Sequence, residues 1–274
     1  MPYLTLPELE LHPSLCLYYR HFPGPAGAPK LVLLHELGGT LESWLPLAER
    51  LRDTYDIYAF DQRCAGRSEH TSQPFAVWDL ARDAVRFADA VGIQGRFVLM
   101  GLAMGAVTAT HVATRYGSRL SALVLCDGTP SIDVNSSNYL LNRAGKVRAD
   151  GMRVVAEASF RNAFKGLTDG SVGASWDQYL ERFTCNTPTS YALHSEALAA
   201  FKLEKADFAR IAMPALVLTG EHDFIWPPET GVALAAHITG ARFEMVAGAA
   251  HFPPIQRPDT VAARVREFLE KEDL

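Results

Sequence analysis

Apolar residues follow two alternating patterns along this chain. Short, nearly continuous runs stand at 31–34 (LVLL), 57–60 (IYAF), 97–100 (FVLM), 122–126 (ALVLC), 215–219 (ALVLT) and 242–246 (RFEMV). Runs of that length suit strands buried on both faces, as in a parallel sheet. Between them, apolar positions recur every three or four residues over 42–52, 78–91, 104–116, 229–237 and 258–271, the spacing of helices that bury one side. In DLARDAVRFADAVG, Leu80, Ala84, Phe87, Ala88 and Val91 mark that side, and Gly92 supplies the stop. Helices between buried strands predict an α/β sheet with right-handed crossovers. Residues 4–20 predict antiparallel edge strands, split around His12-Pro13.

Residues 131–208 break the rhythm. SSNYLLNRAGKVRADGMRVVAEASFRNAF and SYALHSEALAAFKLEKADFARI are helical in pattern, with no strong buried strand between them. The expected division is a core over 1–130, a helical lid over 131–208, and a second part of the core over 209–274. Glycine, proline and serine gather at 128–137 and 166–175, the expected joints.

Composition narrows the picture. The chain has 274 residues, 48% hydrophobic and 21% charged, enough to build a full core without metal or disulfide. A formal net charge of -5 gives no electrostatic reason to expect a nucleic acid or an anionic membrane surface. Cys16, Cys64, Cys126 and Cys185 are far apart and show no metal-ligand spacing, so neither structural zinc nor any other metal is expected. The N-terminal segment lacks a signal-peptide pattern, and no stretch approaches the roughly 18 apolar residues of a membrane span. A cytoplasmic location is the expectation.

Sites in parallel sheets gather beyond the carboxyl ends of the strands. The residues following the apolar runs are therefore the chemical candidates: HELGG (35–39), Asp61, Arg63 and Arg67, then GLAMG (101–105), Asp127, Glu221 to Asp223, and His251 in GAAHF. A strand–helix turn that presents a nucleophile needs small neighbours, because the helix packs tightly on the incoming strand. Gly101 and Gly105 meet that need, but the exposed tip is Ala103, whose methyl group can neither attack a carbonyl nor lose a proton. The helix beginning near Met104 would still aim free N–H groups into the cleft.

Taken together, HELGG, the DQRCAGRS loop, GLAMG, GEHD and the late histidine of GAAHF resemble the α/β-hydrolase superfamily over essentially the whole chain. Within it, HELGGTLESW and the helical lid are similar to enol-lactonases, amidohydrolases of ring-cleavage products and C–C hydrolases. The resemblance implies the order nucleophile, acid, histidine at 103, 223 and 251. His251 would be the general base and Asp223 would orient it, with Asp127 as the alternative acid. The backbone amides of Leu37 and Met104 would form the oxyanion hole. Three positions depart from the pattern: alanine for the nucleophilic serine, Glu36 for the glycine after the oxyanion-loop histidine, and Arg63-Cys64 for an arginine–glycine pair.

The implied function is hydrolysis of a small carboxylated ester, lactone or amide, with no cofactor. The expected partner is an organic acid, and a homodimer is left open. Arg63 and Arg67 are candidates to hold the carboxylate, beside an ordinary role in bracing their loop. Trp44 and Trp226 are candidates to wall the pocket, whereas Tyr139, Phe160 and Trp176 read as packing. His111 reads as a buried, hydrogen-bonded histidine. The completeness of the surrounding machinery favours a serine-to-alanine inactive form. The alternative is a naturally serine-free protein, either a cofactor-independent oxygenase using the histidine–aspartate pair as base or a non-catalytic ligand-binding protein.

Overall fold

The computed structural model describes residues 2–8, 14–167 and 173–274. Among the described residues eight strands form one sheet in the order β1-β2-β4-β3-β5-β6-β7-β8. They are β1 (Tyr3–Leu6), β2 (Leu15–Phe22), β3 (Lys30–Leu34), β4 (Asp56–Phe60), β5 (Phe97–Leu102), β6 (Leu120–Cys126), β7 (Ala215–Gly220) and β8 (Arg242–Val246). From β4 to β8 all neighbours run parallel, while β1–β2 and β2–β4 are antiparallel. The split expected at His12-Pro13 lies outside the described residues.

The continuous apolar runs are explained by burial on both faces, because side chains alternate across a strand. Leu31, Leu33, Val98, Met100, Val124 and Leu218 pack into one core. Val32, Leu34, Leu99, Leu123, Leu125 and Val217 pack into the other. The first face is covered by α1 (Leu45–Leu51) and the C-terminal α11 (Pro258–Lys271), the second by α2 (Val77–Ala90), α3 (Met104–Tyr116) and α9 (Pro228–His237). On α2 the expected stripe is buried, Asp79 accepts the Ala76 amide at 2.8 Å to close the first turn, and Gly92 follows the helix with a positive φ. His111 lies buried on α3 with Nδ1 bonded to the Val107 carbonyl at 3.1 Å; burial lowers its pKa to about 4.

Between β6 and β7 come α4 (Val134–Asp150), α5 (Arg153–Ala163), α6 (Gly173–Thr184), α7 (Pro188–Ala199) and the short α8 (Lys205–Phe208). The α4–α7 pair forms the framework of this layer, with the Arg148–Glu196 ion pair across it. The joint expected at 166–175 lies partly outside the described residues. The last short helix, α10 (Pro253–Gln256), directly follows the His251 loop. Among the described residues no helix is long and apolar enough to cross a membrane.

Candidate active site

The turn between β5 and α3 is drawn tight by two missing side chains. A Cβ on Gly101 would stand 2.2 Å from the Gly105 carbonyl oxygen, and one on Gly105 would stand 2.0 Å from that of Leu34. Backbone therefore occupies the space any larger residue needs. At the tip, Ala103 has φ 50 and ψ -111, a conformation that strains any residue carrying a Cβ by about 1–3 kcal/mol. Its amide donates to the Cys126 carbonyl at 2.9 Å, and its carbonyl accepts from Val107 at 3.1 Å, so the strained unit is held from both sides.

Facing the same cavity is His251, 5% exposed, with Nδ1 donating to Oδ2 of Asp223 at 2.8 Å. Nδ1 is thus engaged, which leaves Nε2 for the cavity. Oδ1 of Asp223 accepts the amides of Ile225 (2.8 Å) and Trp226 (3.1 Å), fixing the carboxylate plane. Burial works to raise the Asp223 pKa, but His251 outweighs it and holds the carboxyl below its ordinary range. Asp127 is fully buried, and its Oδ1 accepts the Gly220 amide at 3.0 Å. Burial, then the charge of Asp223, push its pKa well up. The two aspartates that compete in sequence lie beside each other in space, and it is Asp223 that bonds the histidine. Donor atoms of Asp127, Asp223 and His251 lie within 4.8 Å of one another, the one such cluster among the described residues. Within it His251 and Asp223 bond each other, and Asp127 holds the Gly220 amide.

The loop after β3 is braced from beneath. His35 lies between its own loop and the next one: Nδ1 meets the Glu36 carbonyl at 2.8 Å, and Nε2 accepts the Gln62 amide at 3.0 Å. Burial lowers its pKa to about 3, so the ring is neutral, as that tautomer requires. Glu36, which replaces the expected glycine, turns its carboxyl inward to accept the Ser43 hydroxyl at 2.7 Å, and burial raises its pKa. Leu37 and Met104 then line the cavity side by side with Ala103. Among the described residues neither amide has an acceptor, so both remain available to an oxyanion.

The cavity encloses about 430 Å³ between the strand ends and the helices α4 to α7. Trp226 lines it and meets the His251 ring edge-on at 5.5 Å. The other three substrate-binding candidates lie elsewhere. Arg63 forms a two-pronged ion pair with Asp83 of α2, at 2.5 and 2.8 Å, because a wholly buried carboxylate demands a cation. Arg67 is exposed, bonds the Tyr18 hydroxyl at 2.8 Å and stacks over that ring. Trp44 is fully buried in the core beneath the sheet. None of the three reaches the cavity. Phe160 is packed as expected, Tyr139 instead lines the cavity, and the Trp176 side chain is outside the described part.

Residues without a sequence motif complete the site. Gln256 accepts the Ala250 amide at 2.8 Å and donates to the Ala163 carbonyl at 3.2 Å, which also takes the His251 amide at 3.1 Å. This ties the histidine loop to the end of α5. Asn186 donates to the Gly38 carbonyl at 2.8 Å and joins the following helical segment to the oxyanion loop. Arg143, on α4, is a cavity residue that nothing in its local sequence distinguished.

Comparison with known proteins agrees with this geometry. Residues 29–258 match the family model of the alpha/beta hydrolase fold. The proline iminopeptidase PfmaB of Pestalotiopsis fici is 28% identical, over 90% of this chain and 94% of its own. The 3-oxoadipate enol-lactonase 2 of Acinetobacter baylyi is 23% identical, covering 99% of both. The crystal structure of the enol-lactonase from Burkholderia xenovorans LB400 superposes with a TM-score of 0.87 at 30% identity, covering 93% of this chain and 97% of that one. The parallel sheet, the strained turn and the histidine–aspartate pair beside it thus belong to a chain of the α/β-hydrolase family.

Proposed function

We propose that this protein is a hydrolase of small esters, lactones or amides that works by serine–histidine–aspartate chemistry, present here with alanine at the nucleophile position. The observation that carries the reading is the backbone of Ala103. A turn of purely structural use would place glycine at φ 50, ψ -111, where no strain arises. An alanine kept there, beside a histidine whose Nδ1 is already engaged, makes sense where a one-atom-longer serine would present its hydroxyl to Nε2. Lactonase and iminopeptidase relatives support acyl carbonyls as the substrate class.

In the serine form, His251 Nε2 would take the hydroxyl proton as oxygen attacks the carbonyl. Asp223 would hold the ring and stabilise its charged form. The tetrahedral oxygen would collect the amides of Leu37 and Met104, each such donor being worth about 3 kcal/mol to the transition state. His251 would then return the proton to the leaving alkoxide or amine. Water would repeat the sequence on the acyl enzyme. With Ala103 the attack is lost, while carbonyl binding and the base remain.

The test is Ala103→Ser against a panel of small esters, lactones and activated amides, with and without His251→Ala. Turnover that appears with serine and disappears without the histidine is the expected result. No hydrolysis across the panel, together with oxygen uptake by the unaltered chain on an ionisable heteroaromatic, would instead favour a serine-free base.

A further inference from the structure

Arg143 is 9% exposed and lines the cavity, yet no carboxylate pairs with its guanidinium among the described residues. Other arginines of the fold differ: Arg63 has Asp83, and Arg148, five residues further along α4, has Glu196. Three hydroxyls from three helices surround Arg143 instead. Nη1 donates to Tyr139 at 2.9 Å, and Nη2 donates to Ser159 and to Tyr191, both at 2.5 Å. Nε is buried and has no partner.

Proton direction gives this cluster its chemistry. Arginine only donates, so each hydroxyl oxygen accepts from it and must send its own proton elsewhere. Ser159 sends its proton to the Val155 carbonyl at 2.5 Å. For the phenols of Tyr139 and Tyr191 the described residues offer no acceptor, and both side chains line the cavity. The cavity wall therefore carries a buried guanidinium and two unused O–H donors; among the described lining residues the one acidic side chain is Glu36, which is engaged by the Ser43 hydroxyl and does not pair with Arg143. A neutral ligand would leave that charge desolvated and unpaired, whereas an anion would complete it.

We infer that Arg143, with the hydroxyls of Tyr139 and Tyr191, recognises a carboxylate on the substrate while the reacting carbonyl lies at Ala103. The inference rests on the hydrolase reading for the second half of that statement only, since anion recognition needs no nucleophile. It transfers the acid-binding role expected of Arg63 and Arg67, which do not reach the cavity, to an arginine that lines it.

The unaltered chain allows binding to be read without turnover. Calorimetric titration with monomethyl glutarate and with its neutral analogue dimethyl glutarate isolates the carboxylate. We expect the monoester to bind at least about tenfold more tightly, in line with a hydrogen-bonded charge. Arg143→Gln should bring the two esters within about twofold of each other by weakening the monoester alone. Tyr139→Phe keeps the ring, which is half exposed, and should remove about threefold of the preference without disturbing the fold. Equal binding of the two esters, or no binding of the monoester, would overturn the proposal. So would an undiminished preference in folded Arg143→Gln, or in Tyr139→Phe should the glutamine variant fail to fold. The two readings separate in the Ala103→Ser protein. Hydrolysis of neither ester, with the binding preference intact, would remove the hydrolase and leave the anion site standing. Faster hydrolysis of the dimethyl ester would do the reverse.

Discussion

Nδ1 of His251 stands 2.8 Å from Oδ2 of Asp223, and neither side chain is more than 6% exposed. In the Ala103→Ser background, Asp223→Asn should lower kcat/KM by about 10⁴-fold, because an amide at that place favours the wrong imidazole tautomer. Asp127→Asn should cost less than about tenfold. Asp127 does not touch the histidine, and the asparagine oxygen can still accept from Gly220. Measured rates in the opposite order would make Asp127 the acid that serves the histidine.

Arg63 should be a stability residue. Its partner Asp83 is wholly buried, and without Arg63 that carboxyl keeps only the longer contact to Arg86 at 3.6 Å. Arg63→Ala is expected to lower unfolding free energy by up to about 3 kcal/mol in urea titration, Arg86 compensating part of the Asp83 charge. Its preference between the monoester and diester of glutarate should match that of the parent. A changed preference with unchanged stability would return Arg63 to the cavity.

Acid sensitivity should centre on Asp56. Its carboxyl accepts from Lys30 and His21, both at 2.7 Å, and from the Gly24 amide at 3.0 Å. Burial works to raise its pKa, but these donors outweigh burial and hold it well below the usual carboxylate range. The unfolded chain therefore binds this proton more tightly than the folded one. The stabilisation is complete above an ordinary aspartate pKa of about 3.9 and fades as pH falls below it toward the folded value. Both side-chain partners are more than one-third exposed, so solvent screens them and the contribution is about 1 kcal/mol. Asp56→Asn should be less stable than the parent at pH 7, with the gap closing below about pH 4. Denaturation curves separated equally at both pH values would exclude this account.

The sequence by itself determined the elements and the chemistry at the strand ends. Burial on both faces leaves continuous apolar runs, and burial on one face leaves a 3.6-residue stripe; both marks are local, so they can be read without coordinates. The same holds for Gly101 and Gly105, since only backbone can occupy the space where α3 crosses β5 and β3. Tertiary structure alone decided which charge meets which. Asp83 is twenty positions from Arg63, and Tyr191 is forty-eight from Arg143. No periodicity links such partners, because contacts between elements depend on how whole helices settle on the sheet. Arg63 looked available because its buried counter-ion lay on another element, and Arg143 looked ordinary because its surroundings came from three helices. Asp127 and Asp223 each end a strand loop, and only the stacking of β6 beside β7 showed which one touches the histidine.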